Sequence, residues 1–389
     1  MLLSKLVVVS LASGGLCWPW GESWWGRNRL GYEADTDEIA ELRTIEVGNG
    51  QYQQVTESDK LRLRRRGVRF FDVTNVLSFF KSKDEDVVPV YSYPVRLSHE
   101  ESVNEIIKKI DKESMYRDLS KLTSFYTRYY KSADGLKSAK WVLGRITEIT
   151  AELDPESYEI EQVAHEGWDQ FSMIVRFKGI SVPENIIVVG SHHDSINLLL
   201  PSILPAPGAD DNGSGTITVL ESLRLYTNYI HKTGERPKNT VEFHFYSAEE
   251  GGLLGSLDIF TRYAQQGKTV VAMLQQDMTG YVRDPEDEHV GIVTDHTAPQ
   301  LNKFLKIVMD AYLSIPYVDT ECGYACSDHG SAMKNGFPAA FVIESEFKKS
   351  NRYIHSTMDT LDRLSFDHMA EHAKLVIGTV VELGNWLSF

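Results

Sequence analysis

Apolar positions along most of this chain follow one of two rhythms, and the two take turns. Val103, Ile106, Ile107 and Ile110 recur at the spacing of one helix face, and Met115, Leu119, Leu122, Phe125 and Tyr129 continue it. A second helical stretch is expected over 138–153. Beyond it the period alternates. Residues 171–177 and 186–190 are rich in β-formers, 216–229 is helical in pattern, and Val241, Phe243 and Phe245 alternate with polar partners as a strand does. Further helices are predicted over 253–265, 299–314 and 366–387, and further strands over 270–274, 291–294 and 339–343. Strands alternating with helices over about 300 residues predict an α/β fold, a three-layer α/β/α sandwich with a mostly parallel central sheet. No internal repeat or low-complexity tract interrupts the pattern.

The first stretch of the chain has a different texture. Lys5 precedes an apolar run over 6–16 with small residues at 12–15, too short to span a bilayer and patterned like a secretory signal peptide; residues 1–17 are assigned to it. Residues 18–88 hold a Trp-rich start (Trp18, Trp20, Trp24, Trp25), a basic knot at Arg62, Arg64, Arg65 and Arg66, and a charged run over 81–86. They are expected to be a propeptide ending in a processing linker, with a small retained domain as the alternative. Residues 89–389 are then expected to form the main domain. With no C-terminal anchor signal, the product is expected to be secreted and extracellular.

Net charge is −15, of which residues 1–88 carry only about −1. The acidic remainder is a poor partner for nucleic acid or an anionic membrane, and neither is expected. A monomer is expected. Of the three cysteines, Cys17 lies at the edge of the signal peptide. Cys322 and Cys326, four apart in a chain that meets an oxidising compartment, are expected to form a disulfide. So short a loop gains little chain entropy, so the bond shapes the segment locally. The sequon Asn212-Gly213-Ser214 falls inside the candidate site and is expected to be unglycosylated.

In open α/β sheets ligands bind where strands end, and here polar residues follow the strands. His192, Asp210, Glu250, Asp277 and His355 each lie at a strand exit or in a polar loop, and their donor types suit zinc. Asp194, two residues from His192 on an extended segment, shares its side and can orient its ring. Glu249 stands beside Glu250; two adjacent acids cannot point the same way, so one can bind metal while the other faces water. Each residue also has an ordinary explanation. His192 can be a structural histidine, Asp210 a turn or cap residue, Glu249, Glu250 and Asp277 solvated loop acids, and His355 a buried loop histidine.

Their order along the chain carries more than any one of them. The segments 190–195, 208–211 (Gly-Ala-Asp-Asp), 247–252 (Ser-Ala-Glu-Glu-Gly-Gly), 276–280 (Gln-Asp-Met-Thr-Gly), 322–329 (Cys-Gly-Tyr-Ala-Cys-Ser-Asp-His) and 354–360 (Ile-His-Ser-Thr-Met-Asp-Thr) occur in the sequence. Together they resemble the co-catalytic, two-zinc aminopeptidases, above all the secreted fungal leucine aminopeptidases and their bacterial relatives. The resemblance spans about residues 88–389. It implies two Zn2+ per subunit: His192 and Asp277 on one, Glu250 and His355 on the other, Asp210 bridging both, and a water or hydroxide completing the bridge. It implies Asp194 as the orienter of His192 and Glu249 as general acid and base. It implies a cis peptide bond after the bridging aspartate, at Asp210–Asp211. For the side-chain pocket it points to Met278, Tyr324, Cys326, Ile343, Phe347 and Ile354, an apolar set that favours leucine. Ile343 stands where a relative has an aromatic. Tyr324, held by the Cys322–Cys326 loop, is a candidate oxyanion donor or simply a packing residue. The implied activity is removal of an N-terminal residue from a peptide with a free amine. A one-zinc relative such as a glutaminyl cyclase, or a non-catalytic scaffold of the same fold, is the alternative. A thermolysin-type site is excluded because no His-Glu-x-x-His occurs.

Overall fold

The computed structural model describes residues 41–48, 50–82 and 87–389, which fall in one unit, Glu41–Phe389. The expected signal peptide, with Cys17, lies outside the described residues, as does the start of the expected propeptide. The described part of the 18–88 stretch carries regular structure that the sequence pattern did not predict: β1 (Arg43–Glu46), β2 (Tyr52–Val55), α1 (Glu57–Arg65), β3 (Phe71–Asp72) and α2 (Leu77–Ser82). The strands form an antiparallel sheet in the order β2-β1-β3. Thr56 and Asp59 close a capping box at the start of α1, each side chain meeting the other's backbone N–H. Buried Asp72 ties the segment together, accepting from Lys60 Nζ at 2.7 Å and Arg43 Nε at 3.1 Å. Val73 and Val76 bury their side chains in a cluster with Leu257, which belongs to the body of the protein.

That body runs α3 (Glu100–Ile107), α4 (Lys112–Thr123), α5 (Ala133–Thr150), β4 (Glu159–His165), β5 (Trp168–Phe177), β6 (Val182–His192), α6 (Gly215–Thr233) and β7 (Asn239–Tyr246). It continues with α7 (Leu254–Gln265), β8 (Thr269–Gln276), β9 (Val290–Val293), α8 (Pro299–Tyr312), β10 (Tyr317–Thr320), α9 (His329–Lys334), β11 (Ala339–Ile343) and α10 (Phe366–Asn385). The expected helical run through Tyr129 is shorter than its pattern. α4 ends at Thr123, where Thr123 and Ser124 hydroxyls turn back onto the carbonyls of Leu119 and Lys121 and compete with the helix ladder. β4, β10 and α9 have no counterpart among the predicted elements; the strands are sheet edges and α9 is six residues long, so each carries a weak period.

The main sheet has the order β10-β9-β11-β8-β6-β7-β5-β4. Its inner strands β11, β8, β6 and β7 are parallel. β5 is antiparallel to β7 and β4 to β5, and β11 is antiparallel to β9. The sheet is therefore mixed, with its parallel part at the centre. Alternation along β6 separates two layers. Ile187 and Val189 pack with α5, α6, α8 and α10 residues such as Val142, Leu220, Leu305 and Val380. Ile186 and Val188 pack on the opposite face with Ile259, Phe260 and Tyr263 of α7 and Ala332 of α9. The predicted α/β/α layering is the observed one. Register aligns the strand exits: His192 pairs with Tyr246, Gly190 with Gln275, and Val342 with Gln276. The loops after these residues therefore leave from one edge.

Candidate active site

Four of the sequence-selected residues meet at that edge. His192 ends β6, Glu250 lies in a short 3-10 turn after β7, Asp277 follows β8, and His355 lies in the loop after β11. The fifth residue that joins them is Asp211, not Asp210. Two groups form: His192, Asp211 and Asp277, and Asp211, Glu250 and His355, with one donor atom from each residue within 4.8 Å of the others in its group. Asp211 Oδ1 stands 3.3 Å from His192 Nε2, and its Oδ2 stands 2.8 Å from His355 Nε2. His192 Nε2 is 3.5 Å from Asp277 Oδ1, and His355 Nε2 is 3.3 Å from Glu250 Oε1.

The placement of Asp210 as the bridging residue is thus corrected by one position. Neighbouring residues in this turn face different ways. Asp210 spends its carboxylate on the loop itself, accepting from Ser214 Oγ, Gly280 N and Asn351 Nδ2 at 2.9–3.1 Å. Asp359 accepts both backbone N–H groups, of Asp210 and of Asp211, each at 3.0 Å, and so turns the Asp211 side chain toward the histidines. The cis peptide bond is correspondingly Asp211–Asn212, not Asp210–Asp211. Asn212 is buried; its Nδ2 donates to Gln276 O and its Oδ1 accepts from Gly215 N and Met278 N.

Asp194 joins the two groups from behind. Its Oδ1 lies 3.3 Å from His192 Nδ1, and its two oxygens accept the N–H groups of Glu249 and Glu250, each at 3.1 Å. The backbone around the site is held in costly conformations. Among the five described non-glycine residues with positive φ are Ala248 before Glu249, Met278 after Asp277, and His355 itself. Such residues cost on the order of 1–3 kcal/mol each and gather where side chains must be aimed.

The donors fit a divalent cation. His192 Nε2, Glu250 Oε1 and Asp277 Oδ1 are buried with no hydrogen-bond partner among the described residues; such atoms are expensive unless something binds them. The site favours positive charge: burial opposes it, yet Asp277 and its neighbours raise the pKa of His192, and Glu250 and Asp211 that of His355, well above the ordinary value. Imidazole and carboxylate ligands suit zinc. Glu249 belongs to neither group. Burial, partly offset by His192, pushes its pKa well above the usual carboxylate range.

These residues open onto a cleft of about 430 Å3. All six residues expected for the side-chain pocket, Met278, Tyr324, Cys326, Ile343, Phe347 and Ile354, line it. Met278 and Ile343 pack with Phe341, Val293 and the Cys322–Cys326 pair in one apolar cluster. The disulfide between Cys322 and Cys326 is present. Two further lining residues come from the N-terminal segment. Arg64, at the end of α1, donates to Glu250 Oε2 at 2.6 Å, and Arg69 donates to the Tyr324 hydroxyl while its guanidinium lies over that ring. No motif signals them beyond the basic knot at 62–66. Asp359 lies within the 354–360 motif, but nothing in the local sequence marks it as the residue that orients the Asp211 turn.

Residues 172–380 match the model of peptidase family M28. The chain is 63% identical to the probable aminopeptidase YDR415C of Saccharomyces cerevisiae over 348 residues, covering 89% of this chain and 93% of that one. It is 47% identical to leucine aminopeptidase 1 of Fusarium vanettenii, over 88% of each chain. Among solved structures, the LapA aminopeptidase of Legionella pneumophila superposes with a TM-score of 0.77 at 28% identity, over 89% of this chain and 94% of that one. The chain belongs to peptidase family M28 and is a metal-dependent hydrolase of the aminopeptidase class. No helix among the described residues is long and apolar enough to cross a membrane.

Proposed function

We propose that this protein is a secreted aminopeptidase that removes leucine or another large apolar residue from the N-terminus of peptides, with two zinc ions held by His192, Asp211 and Asp277 and by Asp211, Glu250 and His355. The observation that carries this reading is the division of Asp211: its two oxygens belong to different donor groups, and buried Glu249 stands beside both without joining either. When bound, the zinc pair supplies Lewis acidity to the scissile carbonyl and makes attack by water feasible at neutral pH. Glu249 takes the proton released in that attack and hands it to the departing nitrogen, a role its raised pKa suits and one worth about 100- to 10,000-fold in rate. Asp194 holds the Glu249–Glu250 turn by its N–H groups and keeps His192 in register with it.

The acids that face the cleft, Asp211, Glu249, Glu250 and Asp277, favour a substrate that brings its own positive charge, as a free α-amine does. The wall of Met278, Ile343, Phe347 and Ile354 suits a branched aliphatic side chain. Each methylene of fit there discriminates by only about 1–3 kcal/mol, so the preference is graded. The Tyr324 hydroxyl lines the cleft and accepts from Arg69, which leaves its own hydrogen free to donate to a developing oxyanion. The test is a panel of N-terminal residues on a chromogenic amide, run beside the N-acetylated leucine substrate. Leucine should lead and the acetylated form should not turn over; cleavage of the blocked form would remove the amine-directed reading. Metal analysis finding one zinc at full activity would favour the one-zinc alternative.

The segment before residue 89 supports a zymogen. Arg64 sits against Glu250 and 3.8 Å from Glu249 Oε2, and Arg65 donates to the carbonyls of Leu198 and Leu199. A guanidinium there competes with metal and substrate for the same carboxylates. Cleavage near residue 88 should raise turnover, and Arg64→Ala should raise it in the uncleaved chain; a processed chain no faster than the intact one would reject the propeptide reading.

A further inference from the structure

Arg128 lies outside every motif above, in the stretch between α4 and α5, and its side chain is fully buried. A buried guanidinium costs several kcal/mol unless its donors are met, and the usual answer is a carboxylate. Here no ion pair among the described residues includes Arg128. Its donors go to carbonyls: Nε to His193 O at 2.9 Å, one terminal nitrogen to Gly208 O at 2.8 Å, and the other to Pro207 O. Its own backbone is pinned as well, the N–H on Ser195 Oγ and the carbonyl on Gln170 Nε2.

The carbonyls identify what the side chain is for. His193 lies between His192 and Asp194, and Pro207 and Gly208 begin the turn that ends in Asp211. One planar fork therefore spans the two segments that carry metal donors. Gly208 is built around it: its φ is +52°, and a Cβ there would stand 2.9 Å from Arg128 Nη2 and 2.6 Å from Asp211 O. Burial lowers the pKa of Arg128 only to about 10, with Asp359, Asp194, Asp211 and Glu250 opposing the fall, so the group stays cationic at neutral pH.

We propose that Arg128 is a positioning residue for the metal centre, setting the spacing between the His192–Asp194 segment and the Asp211 turn. The inference rests on the metal-binding reading above, and the experiment separates the two. Wild type, Arg128→Lys, Arg128→Met and Val142→Ala are stripped of metal and refilled with zinc against a chromophoric chelator; the cobalt-substituted forms are compared by visible absorption. Val142, buried in α5, supplies a loss of core packing that touches β6 only through apolar contact and makes no hydrogen bond to either segment. Lysine keeps the charge but cannot span three carbonyls. Both Arg128 variants should bind zinc about 10- to 100-fold more weakly, the usual effect of losing a group that orients a ligand, with an altered cobalt spectrum. Val142→Ala should melt earlier with zinc affinity unchanged. If Arg128→Met does not fold, Arg128→Lys carries the comparison. Wild-type affinity and spectrum in Arg128→Lys, or the same losses in Val142→Ala, would overturn the positioning role. A wild-type protein that binds no zinc would instead overturn the metal centre itself.

Discussion

Replacing each of the adjacent acids Asp210 and Asp211 by asparagine separates a ligand from a scaffold. Asparagine keeps the shape and removes the charge. At Asp211 it turns a charged ligand shared by both groups into a neutral amide with a single oxygen, which can serve only one side, since Oδ1 lies by His192 and Oδ2 by His355. Each group is left with two strong donors. Loss of an orienting group typically costs about 10- to 100-fold in metal affinity, about 1.4–2.7 kcal/mol; loss of a ligand must cost more, so Asp211→Asn should weaken both zinc sites by more than about 100-fold. Asp210 contacts Ser214, Gly280 and Asn351 instead. An amide there loses part of that bonding while Asp359 still holds both N–H groups, so Asp210→Asn should cost no more than about 10- to 100-fold. The assay is zinc competition against a chromophoric chelator on the stripped proteins, with turnover of a leucine substrate measured in parallel. Two near-normal zinc sites in Asp211→Asn, with neither surviving in Asp210→Asn, would refute the division of labour drawn here.

The remaining expectations each rest on a single contact or a small set of them. Glu249→Ala should keep its zinc content while turnover falls about 100- to 10,000-fold; retained turnover would remove Glu249 as the proton carrier. Gly208→Ala puts a Cβ 2.6 Å from Asp211 O and from Ser195 Cβ at a left-handed backbone position. It should lower the melting temperature and zinc affinity together, and a variant with wild-type values in both would count against the tight turn. Glu242 is fully buried and burial opposes its charge, but the hydrogen bond from His244, with Arg176 and Tyr263, holds its pKa at about 2. Its contribution, on the order of 3 kcal/mol, is complete above the unfolded value near 4.3 and is lost as pH falls toward 2. The stability gap between wild type and Glu242→Gln should therefore shrink through that window in acid denaturation, and a pH-independent gap would contradict the assignment.

Much of this architecture is legible in local pattern because local pattern is what makes it. The strand over 339–343 coincides with β11 because a short continuous apolar run suits a strand buried on both faces, and Val241, Phe243 and Phe245 mark one face of β7, whose alternation did not show that Glu242 and His244 on the other face are buried as well. The donor types His192, Glu249, Glu250, Asp277 and His355 are visible too, since each follows a predicted strand and strand ends in parallel sheets share an edge. The choice between Asp210 and Asp211 is of another kind. Two identical acids in one turn have the same local chemistry, and what separates them is Asp359, which lies 148 residues beyond Asp211 and meets both N–H groups only in the folded chain. Arg128 and Arg64 are likewise ordinary basic residues in sequence. One is bound to carbonyls 65 to 80 residues away, the other to a carboxylate 186 residues away. Period and composition act between neighbours and so determined the layers, the strand ends and the kind of chemistry. Which way a side chain faces is set by hydrogen-bond partners brought in from distant parts of the chain, and only the tertiary structure decided that.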